Sequence, residues 1–127
     1  METARRLRAS LDAFERIQSD FAKNSDQRDP DWRRRLVALR KDLQDSLIAI
    51  RTALQAHEEA AGRSEAGEAL NKGLSAMRSA IALHQAEWPA VAIDTQSEAY
   101  RGSVRTLRTA TRDFREVTGA MIAAIGR

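Results

Sequence analysis

Between Tyr100 and Ile125 the large apolar residues are Tyr100, Val104, Leu107, Phe114, Val117, Met121 and Ile125, with Thr111 filling one step. Steps that alternate near four and three put them on one stripe of an α-helix. One residue along from most of them lies a second stripe, Arg101, Arg105, Arg108, Arg112 and Arg115. A chain with this pattern must bury one face of a long helix while holding a ladder of positive charge beside it.

The same periodicity recurs upstream. A first helix is expected from about Glu2 to Lys23, with Ala4, Leu7, Leu11, Phe14, Ile17 and Phe21 inward. Asn24-Ser25-Asp26-Gln27-Arg28 is a polar break of turn-favouring residues. Asp29-Pro30 restarts the chain, Asp as N-cap and Pro at the first helical position, where its missing N–H costs nothing. The second helix runs to Ala61 along Trp32, Leu36, Leu39, Leu43, Leu47, Ile50 and Leu54, and Val37 and Ile48 widen its face as a bundle helix needs. Gly62-Arg63-Ser64 is a hinge, with Gly62 suited to a left-handed position and Ser64 to capping the next helix. That helix extends from Glu65 to Trp88 with Leu70, Leu74, Met77, Ile81 and Trp88 inward, and Pro89 to Ile93 forms an apolar connector over one end of the core. Thr95-Gln96-Ser97-Glu98 fits a capping box with Thr95 as cap, so the fourth helix is expected over 96–125.

One all-α domain is the natural product of 127 residues rich in Ala and Leu and poor in Gly and Pro. Four amphipathic helices on short loops predict an up-down-up-down four-helix bundle. The alternative is an extended three-helix core with helix one exchanged between protomers. There is no cysteine, which removes disulfides, thiolate catalysis and Cys-ligated metals. Arg5, Arg6 and Arg8 open the chain without a following apolar run, so no secretory signal is read there. Runs such as Ala120 to Ile125 are too short to cross a bilayer, and a soluble, cytoplasmic protein is expected.

Signals for chemistry are sparse. His57 and His84 both fall on apolar stripes, but in a hairpin centred near Arg63 they are offset by roughly 22 Å along the axis. They cannot share a metal within a protomer, and each reads as a satisfied, semi-buried histidine near a helix end. A phosphotransfer histidine would be exposed and followed by Lys and Gly, whereas Ala60 and Ala61 follow His57, and Glu87 and Trp88 follow His84. No phosphate-binding Gly-rich loop or nucleophile elbow is present. The pairs Asp12/Glu15 and Asp42/Asp45 read as solvated faces or ion-pair partners. The expectation is a non-enzyme with no cofactor and no metal.

The basic residues carry the functional reading. Arginine far outnumbers lysine, which fits either base composition of the genome or selection for bidentate contacts to carboxylate and phosphate. Neighbours on the Arg101–Arg115 ladder repel one another, with Glu98 and Glu116 relieving the ends, Asp113 pointing elsewhere and Glu15 or Asp12 within reach from helix one. About three arginines are left to spare. Arg33-Arg34-Arg35 opposes the dipole of helix two, and Arg33 and Arg34 form a second basic edge. The whole set, Arg33, Arg34, Arg101, Arg105, Arg108, Arg112 and Arg115, is expected to meet the acids of an acidic or amphipathic protein segment. Nucleic acid is the weaker alternative, since 18 acids dilute the basic residues and few aromatic residues are available to stack. Trp32 and Trp88, costly to leave bare, suggest a homodimer. As a small Cys-free, Ala/Arg-rich helical chain, the sequence is similar to bacterial export chaperones of the flagellar or type III kind. That resemblance likewise implies a non-enzymatic binding protein.

Overall fold

The computed structural model describes residues 2–27, 29–93 and 97–126. It contains four α-helices, α1 (Glu2–Asp26), α2 (Trp32–Ala61), α3 (Glu65–Glu87) and α4 (Glu98–Ile125), with a 3-10 turn at Ala90–Ala92 and no strand among the described residues. Side-chain contacts fix the directions. Thr3 meets His57 and Asn24 meets Trp32, so α1 and α2 are antiparallel. Glu58 meets Asn71 and Gln44 meets Gln85, which sets α3 against α2. His84 meets Ser103 while Glu15 meets Arg115, so α4 runs against both α3 and α1. The product is an up-down-up-down four-helix bundle. The backbones approach most closely within the α1/α2 and α3/α4 hairpins and less closely between them.

The core follows the predicted stripes. Leu7, Leu11 and Phe14 of α1, Leu43, Leu47, Ile50 and Leu54 of α2, Leu70, Leu74, Met77 and Ile81 of α3, and Phe114 and Met121 of α4 form one buried cluster. Phe14 and Phe114 meet edge to face with centroids 5.0 Å apart. Each large side chain so buried contributes roughly 1.5–3 kcal/mol from water exclusion alone. On α4 the fully buried members of the stripe, Phe114 and Met121, lie in its C-terminal half, and Tyr100, Val104, Leu107, Thr111, Val117 and Ile125 are partly buried. Val37 and Ile48 do not widen the core face of α2; they are 56% and 54% exposed on its outer side. Trp32 and Trp88 are partly buried within the chain, Trp88 edge-on to Tyr100 at 5.3 Å and Trp32 under the Arg33 guanidinium.

The loops differ from expectation in ways hydrogen bonds explain. Asn24 is not a turn residue; α1 continues to Asp26, and Asn24 is buried. Its Nδ2 donates to the Trp32 carbonyl and its Oδ1 accepts from Arg35 Nε at 2.7 Å, joining the end of α1 to the start of α2. Asp29 does not cap α2. Its carboxylate accepts the Asp31 N–H across Pro30, and the helix starts two residues later than expected, at Trp32. Gly62 takes the positive φ expected of it, and the Ser64 hydroxyl accepts from the Gly67 N–H. The cap of α4 is Ser97, whose hydroxyl accepts from the Tyr100 N–H; Thr95, the expected cap, lies outside the described residues, as do Arg28 and Gln96.

Candidate functional site

At the end of the bundle where α1 finishes and α4 begins, these two helices do not close on each other. The cause lies in α1. Its side facing α4 carries Ser19, Ala22 and Ser25, which are too small to fill the space, while Phe14 has already made the last large contact with Phe114 nearer the middle. What remains is a groove of about 520 Å³. Its floor and apolar walls come from Leu43 of α2, Met77 and Ile81 of α3, Phe21 of α1 and Val104 and Leu107 of α4. The N-terminal half of the α4 stripe is therefore one wall of this groove.

The remaining lining is polar, with Glu15, Gln18 and Gln85 beside four arginines. Arg108, Arg112 and Arg115 of the ladder line the groove, and Arg40 of α2 joins them. Arg115 is neutralised: Glu15 accepts two parallel hydrogen bonds at 2.8 Å across the α1–α4 seam. With both partners well exposed, such a pair contributes no more than about 1 kcal/mol, so its main effect is to fix position. Arg112 has a carboxylate only at 3.7 Å, from its chain neighbour Asp113, which does not point elsewhere as the spacing implied. Arg108 has no ion-pair partner among the described residues. Arg101 and Arg105 are turned away from the groove, and both bind Glu98 at 3.0 Å. Their guanidiniums hold the Glu98 carboxyl below its usual pKa, Arg105 more than Arg101. The structure thus divides the ladder by what each member faces, and fewer arginines are spare than the spacing alone suggested.

The second basic cluster serves the fold. Arg33 donates to the carbonyls of Ala90 and Ile93, at 3.2 and 2.9 Å, pinning the apolar connector over the bundle end. Arg35 bridges Asn24, the Gln27 carbonyl and Asp29, and holds the Asp29 carboxyl below its usual pKa. Arg34 remains exposed, 3.5 Å from Asp31. Arg33 is therefore a clamp on backbone carbonyls, on an exposed part of the surface.

The residue that sequence reasoning missed is Arg40. It is half-buried in the groove and makes no hydrogen bond or ion pair among the described residues. Burial lowers its pKa, opposed by the nearby Tyr100 oxygen, although a guanidinium remains charged throughout the physiological range. A signal existed. Positions three and four away on either side of Arg40 hold Leu36, Val37, Leu43 and Gln44, none able to pair with it.

Both histidines are satisfied near helix ends. His57 is partly buried with Nδ1 3.2 Å from Thr3 Oγ1, and His84 is buried with Nδ1 2.7 Å from Ser103 Oγ. Among the described residues no group of three or more His, Cys, Asp and Glu could hold a metal, and no helix is long and apolar enough to cross a membrane. No protein-family model, curated protein or solved structure matches this chain. The groove's own geometry therefore carries the functional argument.

The His84 environment gives a first expected result. Burial, and then the Arg40 charge, hold the imidazole pKa below its ordinary value of 6.5. Unfolded chain takes up a proton near that value that the folded chain resists. Stability is therefore full above the ordinary value and is lost as pH falls through it toward the folded pKa. His84→Asn should flatten this loss in melting temperatures recorded between about pH 7.5 and 5. Asp29 and Glu98, with depressed pKa values, titrate below that window. An unchanged slope in the variant would remove His84 as its source.

Proposed function

We propose that the chain is a non-enzymatic adaptor of the cytoplasm that seats an acidic, amphipathic helical segment of a protein partner in the groove between α1 and α4. The observation that carries this reading is a mismatch inside the groove: an apolar floor lies beside Arg40 and Arg108, which have no anion among the described residues, and Arg112, which has a poor one. An apolar face laid over Leu43, Ile81 and Leu107 would gain from water exclusion, and acids flanking that face would meet Arg108 and Arg112. Carboxylates suit guanidiniums here because the fork geometry accepts them bidentately. A phosphate backbone would use the positive charge and leave the apolar floor unused, which favours a protein segment over nucleic acid. The volume fits a few large side chains and not a whole helix, so the bound segment would lie across the groove with one face inserted.

Selection from a displayed library of amphipathic helices tests this, followed by fluorescence anisotropy on the enriched peptides. The expected result is enrichment of apolar residues at three- and four-residue spacing flanked by Asp or Glu. Arg108→Glu with Arg112→Glu should cost at least about a hundredfold in affinity, since charges of the wrong sign then face each other. Arg101→Glu with Arg105→Glu, outside the groove, should cost little. Enriched peptides without acid, or unchanged affinity in the groove variant, would overturn the reading. Duplex and single-stranded oligonucleotides serve as the competing arm: tight binding whose affinity falls steeply with salt would move the assignment to nucleic acid.

A further inference from the structure

Arg40 differs from the α4 arginines in one respect that matters for recognition. Arg108 and Arg112 sit on the rim, exposed to water, where a charge is screened and contributes more to orientation than to affinity. Arg40 lies on α2, on the far side of the opening, half-buried and within electrostatic reach of Tyr100 and His84. It lines the groove, and its guanidinium has no acceptor among the described residues. Tyr100 also lines the groove, its ring held edge-on to Trp88 and tilted against His84, and its hydroxyl makes no hydrogen bond among the described residues. His84 cannot supply the missing acceptor: its Nδ1 is taken up by Ser103, and the imidazole is not an anion. Two donors without an acceptor among the described residues, one charged and one neutral, thus line the same apolar groove. A single planar anion satisfies both.

We infer that the groove holds a carboxylate subsite, in which the Arg40 guanidinium and the Tyr100 hydroxyl together receive one Asp or Glu side chain of the bound segment. This deepens the adaptor reading and rests on it. The subsite selects for an acid on the inserted face of the helix, in addition to acids on the flank that meets Arg108 and Arg112. Partner segments would therefore carry one carboxylate among their apolar anchors, a pattern that a generic amphipathic helix does not have.

The test uses octanoate as probe and 1-octanol as its uncharged match, titrated into the intact chain and followed by amide chemical shifts. Octanol measures what the apolar floor offers, and the difference between the two measures the anion subsite. Octanoate should bind at least about tenfold more tightly than octanol, as a charge-assisted hydrogen bond in a partly desolvated site implies. Arg40→Met should remove that difference while leaving octanol binding and the melting temperature unchanged. Tyr100→Phe, which deletes only the hydroxyl, should weaken octanoate several-fold and leave octanol alone. Arg108→Glu with Arg112→Glu should keep most of the difference, because those residues are on the rim. Equal affinity for the two probes, failure of both to bind, or an Arg40→Met variant that loses both equally would overturn the subsite. None of these bears on the peptide selection, whose own failure is read at Arg108 and Arg112.

Discussion

Phe114→Ala is expected to lower stability by about 3–5 kcal/mol, the usual cost of emptying a buried aromatic site. For a chain of this size that is a fall in melting temperature of about 10–20 °C. Phe114 is 2% exposed and stands edge to face with Phe14 across the α1–α4 seam, while its ring edge also meets α3 at Gly73. It is thus shared by three helices, and no neighbour can collapse into the space without moving a whole helix. Thermal unfolding followed by circular dichroism measures the effect. The Phe14→Ala, Phe114→Ala cycle should show coupling of about 0.5–1.5 kcal/mol from the edge-to-face pair. A single-variant loss below about 1 kcal/mol would mean that the ring does not occupy a packed site.

The second large effect is expected at Gly73. A Cβ there would stand 2.9 Å from Val117 Cγ2 and 3.2 Å from Phe114 Cδ1. Alanine gains about 1 kcal/mol over glycine in a helix interior, so propensity and overlap oppose each other. Overlap wins, because Val117 is β-branched with its χ1 fixed by its own helix and Phe114 is locked in the core. Gly73→Ala should be net destabilising, and Gly73→Val, with two further carbons, should cost about 2–3 kcal/mol. Val117→Ala removes the nearer obstacle and should suppress much of the Gly73→Ala penalty. Strictly additive losses in that pair would show that α3 and α4 are not in contact there.

The four helices and their inward stripes were legible because an amphipathic period needs only local sequence. Leu7, Ile50, Leu70 and Met121 could be assigned inward without knowing their partners. The assignments that failed depended on other helices. Tyr100 and Val104 lie on the α4 stripe and are only partly buried, yet how far they are covered is decided by Ser19, Ala22 and Ser25 on α1, whose small size matters only once α1 and α4 are neighbours. Val37 and Ile48 lie on the edge of a stripe, where the angle at which a neighbour packs decides the outcome. The clamp made by Arg33 was not legible because sequence does not reveal free carbonyls such as those of Ala90 and Ile93. Asn24 read as a turn because its residue type favours turns, although two side-chain hydrogen bonds kept it on a helix. Of the site itself, the ladder was plain and Arg40 left only a faint signal, its lack of a partner along the helix, which gains meaning from the opening it faces.

The seam between α1 and α4 joins the two ends of the chain: Glu15 and Arg115 are 100 residues apart in sequence. Each hairpin can form from neighbouring segments, whereas this seam must wait for both, and the loop it closes is the costliest in entropy. The groove is therefore an unfilled portion of the contact that is longest in sequence. Any molecule that fills it from outside completes the bundle, and its binding registers as resistance to unfolding that grows with the logarithm of its concentration.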